Sequence, residues 1–215
     1  VGGWSQFPHK FDVYYWKVFK GREADPFEQL KQIKDMVSKS GIKLIGPDYG
    51  CGQVQNIDLI NTFGEDRVSQ FFHTGMRSDG VRARWEGKTR KWHLARNKVL
   101  TDTFESIKRA QITFPRFEEC GELFDHILAE SMEYRVESNT MRYVNSKPDD
   151  GLHALAYAML AGELLIRGDF SGNGNSRMTS QSGVELGTGL GGYDHLDEEE
   201  FPVDDSFYTD EYYAA

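Results

Sequence analysis

The sequence predicts an α/β domain, a mixed sheet with helices on both faces, followed by a polar tail. Three observations predict it. Short runs of aromatic and β-branched residues alternate with segments of 3.6-residue apolar periodicity across residues 1–167. The helical segments carry their own start and stop residues. After Gly168 the composition changes to Gly, Ser and acids. Alternation of the two element types favours a sheet buried between helix layers. With 215 residues, 39% hydrophobic and 13% aromatic, the chain has apolar mass for one core, and no internal repeat is seen.

Taken in order, Lys10 to Phe19 reads as a strand. Asp25 is an N-cap with Pro26 at the first helical position, and Phe27, Leu30, Ile33, Met36 and Val37 then form an apolar stripe ending at Gly41. Ile42 to Asp48 is a buried strand closed by a carboxylate. Val54, Ile57, Ile60 and Phe63 give a second helix, stopped by Gly64. Arg67 to His73 is a strand, and Val81 to Trp85 with Trp92 to Ala95 form a hairpin. Asn97 to Ala110 is helical, Ile112 to Phe114 a short strand, and Phe117 to Glu130 helical. Met132 to Glu137 pairs with Met141 to Asn145, and a last helix runs from Asp149 to Arg167.

Charge is unevenly spread. The chain carries 25 basic and 34 acidic residues, of which residues 1–167 hold 24 and 23. The net charge of −9 therefore belongs to the tail, 168–215, where Arg177 faces eleven acids. Such a segment buries too little apolar surface to offset its ordering entropy, so it reads as flexible. Between Arg77 and Lys98 the balance reverses. Arg82, Arg84, Lys88, Arg90, Lys91 and Arg96 are interleaved with Trp85, Trp92 and His93. Cations neutralise phosphates and aromatic faces pack on sugars and bases, so this segment is a candidate nucleic-acid contact; a solvated hairpin with core tryptophans is the alternative.

Cys51 and Cys120 are too far apart in sequence for a zinc ribbon, and a reducing, cytoplasmic setting is expected. No apolar run approaches the roughly 18 residues of a membrane span, so no membrane partner is expected. The start, Val1-Gly-Gly-Trp4, reads as a piece of something longer.

Two acidic positions stand out. Asp48 closes a strand before the flexible turn Tyr49-Gly-Cys-Gly52, and strand ends in α/β sheets border the crevices where ligands bind. Asp149 and Asp150 open the last helix, where backbone N–H groups and the helix dipole hold carboxylates ionised. Carboxylates that converge repel unless a hard cation bridges them, and an all-oxygen set suits Mg²⁺ or Mn²⁺. Two such ions activate water and stabilise the leaving oxygen in phosphodiester cleavage. Taken singly, the same residues are turn and cap formers.

The string Asp149-Asp-Gly-Leu-His-Ala-Leu-Ala-Tyr-Ala158 resembles the last catalytic motif of the large terminase subunits of tailed bacteriophages. Asn97-Lys-Val-Leu-Thr-Asp-Thr-Phe104, Ile112-Thr-Phe-Pro115 and Phe124, Leu128, Glu133 and Tyr134 resemble the lead-in to it. Gly46-Pro-Asp48-Tyr-Gly50 resembles the second acidic motif of the family. The likeness runs from about Lys10 to Gly168. It implies an RNase H-like nuclease domain (1–167) that cuts concatemeric double-stranded DNA with two Mg²⁺ or Mn²⁺ ions. Its implied partners are a packaging ATPase domain, a portal and a small terminase subunit in the host cytoplasm. Asp48 would then be the metal ligand of the second motif and Asp149 or Asp150 that of the third. His153, one turn on, either lines the site or is a packed histidine.

The family's first acidic residue belongs to a strand that would precede Val1, so the domain as it stands is expected to lack its first strand and to cleave DNA poorly. Gly87-Lys-Thr89 resembles the end of a phosphate-binding loop, but Arg82 stands where that motif needs Gly, and ATP binding is not expected. Two alternatives remain: a resolvase-like or transposase-like nuclease of the same fold, and a non-catalytic protein-docking module.

Overall fold

A computed structural model describes residues 1–50, 52–74, 81–136 and 140–170 of the chain. In chain order the elements are β1 (Gly2–Gln6), β2 (Lys10–Val13), α1 (Pro26–Ser40), α2 (Gln53–Phe63), β3 (Gln70–Thr74), β4 (Ala83–Glu86) and β5 (Lys91–Ala95). They continue with α3 (Arg96–Lys108), β6 (Ile112–Thr113), α4 (Phe117–Leu128), β7 (Glu130–Arg135), β8 (Thr140–Asn145) and α5 (Asp150–Arg167). The class is mixed α/β, as expected, but the strands form small sheets instead of one central sheet. They are ordered β1-β2-β6, β3-β5-β4 and β7-β8.

The first strand ends earlier than predicted, at Val13, and its antiparallel partner is β1, with Trp4 opposite Phe11. Gly2-Gly-Trp-Ser-Gln6 lacks the alternation that marks a strand, so sequence reasoning passes over it. The start of α1 is as read: Asp25 Oδ1 accepts from the backbone N–H of Phe27 (3.0 Å) and Glu28 (3.2 Å). Its end is too, with Gly41 at φ 63°, a conformation that favours glycine.

Residues 44–49 lie parallel beside 67–71. Ile45 N–H donates to Arg67 O and Phe71 N–H to Pro47 O, at 2.8 and 2.9 Å. This is the predicted Ile42–Asp48 strand, but only two positions, Ile45 against Val68 and Asp48 against Phe71, pair fully. Pro47 has no N–H to give, which limits the ladder. The segment is half-buried at most, and Asp48 is exposed.

The core is organised by α5. One side packs on Phe11, Leu100, Ile112, Leu123 and Ile127 through Leu152, Leu155 and Met159. The other packs on Phe71, Leu94 and Val99 through Ala156, Tyr157, Leu160 and Leu164. A helix buried on two sides is apolar nearly all round, which is why the run from Leu152 to Leu164 shows no clean stripe. A third cluster, Leu30, Leu59 and Val68, joins α1 and α2 to the edge segment through Ile45.

Three residues assigned to apolar stripes face solvent instead: Phe27 is 77% exposed, Val54 72% and Ile57 58%. In α2 the inward face is set by Asn56 and Leu59, because the Asn56 amide must reach the backbone oxygen of Asp48 (2.7 Å). The predicted tail beyond Phe170, together with Cys51 and Arg77, lies outside the described residues.

Close approach of β1 to α5 depends on Gly162. A Cβ there would sit 2.7 Å from Trp4 Cδ1, while the Trp4 indole N–H donates to Met159 O at 3.1 Å. Gly162→Ala is therefore expected to displace Trp4 and cost about 1–3 kcal/mol of overpacking, read as a lower urea midpoint at unchanged slope. An unshifted midpoint would show that the indole yields freely.

Candidate functional site

The N-terminal turns of α5 gather most of the buried charge. Asp149 occupies the N-cap position, but its side chain caps no backbone N–H, contrary to expectation. Its Oδ2 lies 3.0 Å from His153 Nε2 and 3.4 Å from Arg96 Nη2. The capping falls to α4 instead: Gly151 N–H donates to His126 Nδ1 at 3.1 Å. A Cβ on residue 151 would meet Trp16 at 2.6 Å and His126 Cβ at 2.9 Å, so glycine admits this approach. Freed from capping, Asp149 turns into the interior. Asp150, its neighbour, stands exposed and outside the cluster.

Arg96, the first residue of α3, forks into the same space. Nη1 donates to Tyr143 O (2.9 Å), and Nη2 is bonded to the Glu130 carboxylate as well as reaching Asp149. Glu130 opens β7 with its side chain 0% exposed, although the rest of that strand faces solvent. Its second oxygen, Oε2, has no hydrogen-bond partner among the described residues. One ligand atom each of Glu130, Asp149 and His153 lies within 4.8 Å of the others.

The histidines have a direction. His153 Nε2 faces a carboxylate, which only accepts, so this nitrogen carries the proton. His153 Nδ1 then accepts from His73 Nε2–H, at 2.9 Å. His73, from β3, stacks on Tyr157 at 5.3 Å between ring centroids. Its Nδ1 is left buried with no partner among the described residues.

Burial drives the electrostatics. Removal from water, reinforced by the neighbouring His153 and Arg96 side chains, lowers His73 to about 3. Burial raises Glu130 to about 7, helped by the adjoining Asp149 carboxylate and opposed by Arg96. Burial also pushes Asp149 up, but the hydrogen bond from His153, the adjoining Glu130 carboxyl and the charge of Arg96 outweigh it. Asp149 ends well below the usual carboxylate range.

Asp48 reaches α5 through Tyr157. Tyr157 O–H donates to its Oδ1 at 3.3 Å, and Tyr157 lies eight residues beyond Asp149, about 12 Å along the helix axis. Burial raises the Tyr157 hydroxyl far above its usual range, and the charges of Asp48 and Asp149 add to the effect. The two predicted acids thus serve one helix face, joined through Tyr157, His73 and His153.

The basic segment is largely internally paired. Arg82 is bonded to Glu163 and lies over Phe170 at 5.2 Å. Arg90 pairs with Glu65, and Arg96 is the fork just described. Lys91 sits 4.1 Å above the Tyr49 ring and 3.7 Å from Glu86. Arg84 and Lys88 are solvent-exposed. The hairpin is present, with Trp85 opposite Trp92. Trp92 packs against the cluster around Phe71, so aromatic interleaving in sequence is not one aromatic face in space. On the opposite face, register aligns Tyr49, Phe72, His93 and Arg84 across the strands, with ring centroids 5.9 and 5.8 Å apart.

Sequence reasoning missed Glu130, read as the end of a helix, and His73, read as a strand residue. Neither has a local signal, since each matters only through contact with α5. Comparison with family models, curated proteins and solved structures returned no match.

His73 and Glu130 act oppositely on stability. In the fold His73 takes its proton near pH 3, against 6.5 unfolded, so acidification below 6.5 favours the unfolded chain. Glu130 takes its proton near pH 7, against 4.5 unfolded, so acidification over that window favours the fold. Urea unfolding in EDTA is therefore expected to unmask each group between pH 6.5 and 4.5. Relative to wild type, Glu130→Gln should lose about 1.4 kcal/mol per pH unit on acidification, and His73→Gln should gain about as much. Parallel profiles for all three proteins would contradict these buried states.

Proposed function

We propose that the body of this chain is a metal-dependent endonuclease domain of the terminase large-subunit type, with an RNase H-like fold, acting on double-stranded DNA. The observation that carries the reading is the placement of Asp149. It stands in the string Asp149-Asp-Gly-Leu-His-Ala, is 9% exposed, and lies among the ionisable side chains His153, Arg96 and Glu130. Asp48, closing the 44–49 segment, bonds to the same helix.

The residues fit a divalent cation: two carboxylates and an imidazole converge, and the buried Glu130 Oε2 lacks a partner among the described residues. When bound, Mg²⁺ or Mn²⁺ supplies charge stabilisation at the phosphate and a more acidic water. Asp149 is the acid that would hold it, with Asp48 bonded to the same helix face at Tyr157. The chain's other residues prepare those acids. His153 Nε2–H fixes the Asp149 carboxylate, and Tyr157 O–H fixes Asp48. Arg84 and Lys88, exposed on the hairpin, would neutralise backbone phosphates. A packaging ATPase domain, portal and small terminase subunit are the partners this reading implies.

One observation favours a non-catalytic docking module instead. Arg96 already occupies the space between Glu130 and Asp149. Plasmid cleavage separates the two. In Mn²⁺ the chain is expected to nick supercoiled DNA weakly, at a rate EDTA abolishes and Asp149→Asn lowers at least about 100-fold, with Asp48→Asn also impaired. No cleavage above the EDTA control, or cleavage indifferent to both substitutions, would reject the nuclease reading.

A further inference from the structure

Within that reading, we infer that Glu130, Asp149 and His153 form a single mixed oxygen–nitrogen seat for a first-row divalent transition-metal ion, and that the Arg96 guanidinium holds the seat until the ion displaces it. The inference rests on metal dependence but names ligands that neither the motif nor the strand-end acid supplies.

Four observations carry it. The three ligand atoms lie within 4.8 Å of one another, a span one ion can bridge. The Glu130 side chain is wholly buried, yet one of its two oxygens is unpartnered among the described residues, an arrangement that costs free energy unless something else binds there. A cationic group already sits between the carboxylates, since Arg96 Nη2 is bonded to Glu130 and reaches Asp149 at 3.4 Å. Finally, His153 has a neighbour suited to a ligating imidazole. To bind through Nε2 it takes the other neutral tautomer and donates Nδ1–H to His73 Nε2, across the same 2.9 Å contact, with His73 carrying its own proton on Nδ1 in that state.

The donor set decides the ion. Carboxylate oxygens alone suit Mg²⁺, which demands near-octahedral oxygen coordination, whereas an imidazole nitrogen shifts preference to Mn²⁺, Co²⁺ or Zn²⁺. Arg96 decides the affinity. A fixed positive charge this close to the seat repels an entering cation, and Arg96 must give up Glu130 and Asp149 to admit one. It is the first residue of α3, and Nη1 keeps a bond to Tyr143 O. Loading is therefore an exchange of one cation for another at the junction of α3, β7–β8 and α5.

Mn²⁺ binding to the full chain, followed by loss of the free-ion paramagnetic resonance signal in metal-free buffer, tests this without any cleavage assay. Wild type is expected to bind weakly, with Mg²⁺ competing poorly. Arg96→Gln should tighten binding at least about 10-fold, while Arg96→Lys, which keeps the charge, should not. Glu130→Gln and Asp149→Asn should each weaken it at least about 10-fold. His153→Ala should reduce the visible absorption of bound Co²⁺. Circular dichroism checks the fold of each variant, and the Glu130 and His153 arms stand even if Arg96→Gln fails to fold. Binding lost with Asp149→Asn but indifferent to Glu130, His153 and Arg96 would overturn this seat and leave the nuclease reading intact. No binding by any folded variant would overturn both.

Discussion

Burial of α5 on two opposed sides is the constraint on which the rest of this structure depends. Leu152, Leu155 and Met159 close one cluster, and Ala156, Tyr157, Leu160 and Leu164 close the other. Neither three-stranded sheet has a core without this helix. Removing so much apolar surface from water is the main favourable term available to the body. It also forces the helix's polar residues inside. Asp149, His153 and Tyr157 follow at intervals of four, so they share one stripe with a spacing no solvent can reach easily. Each must then find a partner within the protein, and Arg96, His73 and Asp48 are the partners it finds.

Seen this way, the cluster at the start of α5 follows from packing before it follows from chemistry. Arg96 ties the first turn of α3 to Tyr143 O on β8 and to Glu130 on β7. Asn97 adds its amide to Met141 O at 3.1 Å. The β7–β8 pair, mostly solvent-exposed, is anchored to α3 by these bonds and by the inward-turned Glu130 and Tyr143.

Much of the architecture was legible because it is written in local signals. Asp25-Pro26, Gly41, Gly64 and Gly168 mark helix ends by capping and backbone conformation, and all four sit where expected. The β4–β5 hairpin and the β7–β8 pair follow from alternation and turns. What failed was non-local. β1 has no strand-like pattern and exists because β2 and Trp4's place on Gly162 hold it. The stripe in α2 was misread because Asn56, a polar residue, is turned inward by the Asp48 carbonyl. In the site, Asp149 was found through its helix-start position and its motif, yet its capping role was wrong. His126 arrives from another helix and takes the Gly151 N–H. Glu130 was invisible for the same reason: a lone Glu at a strand start has no meaning until Arg96 and Asp149 surround it.

The cost of this arrangement argues about its purpose. A buried ion pair is weak evidence of stabilisation, since desolvating the charges offsets much of their attraction and apolar residues of similar volume often serve as well. The cluster here is less economical than a simple pair. It holds two carboxylates against one guanidinium, leaves a Glu130 oxygen unpartnered, and strands a lone pair on His73. One buried carboxyl is pushed up to about 7 while its neighbour is held far down, a separation that marks a site short of positive charge. Packing explains why polar groups are inside but not why the acids outnumber the cations that serve them. An added cation would satisfy the surplus oxygen and let both acids ionise together.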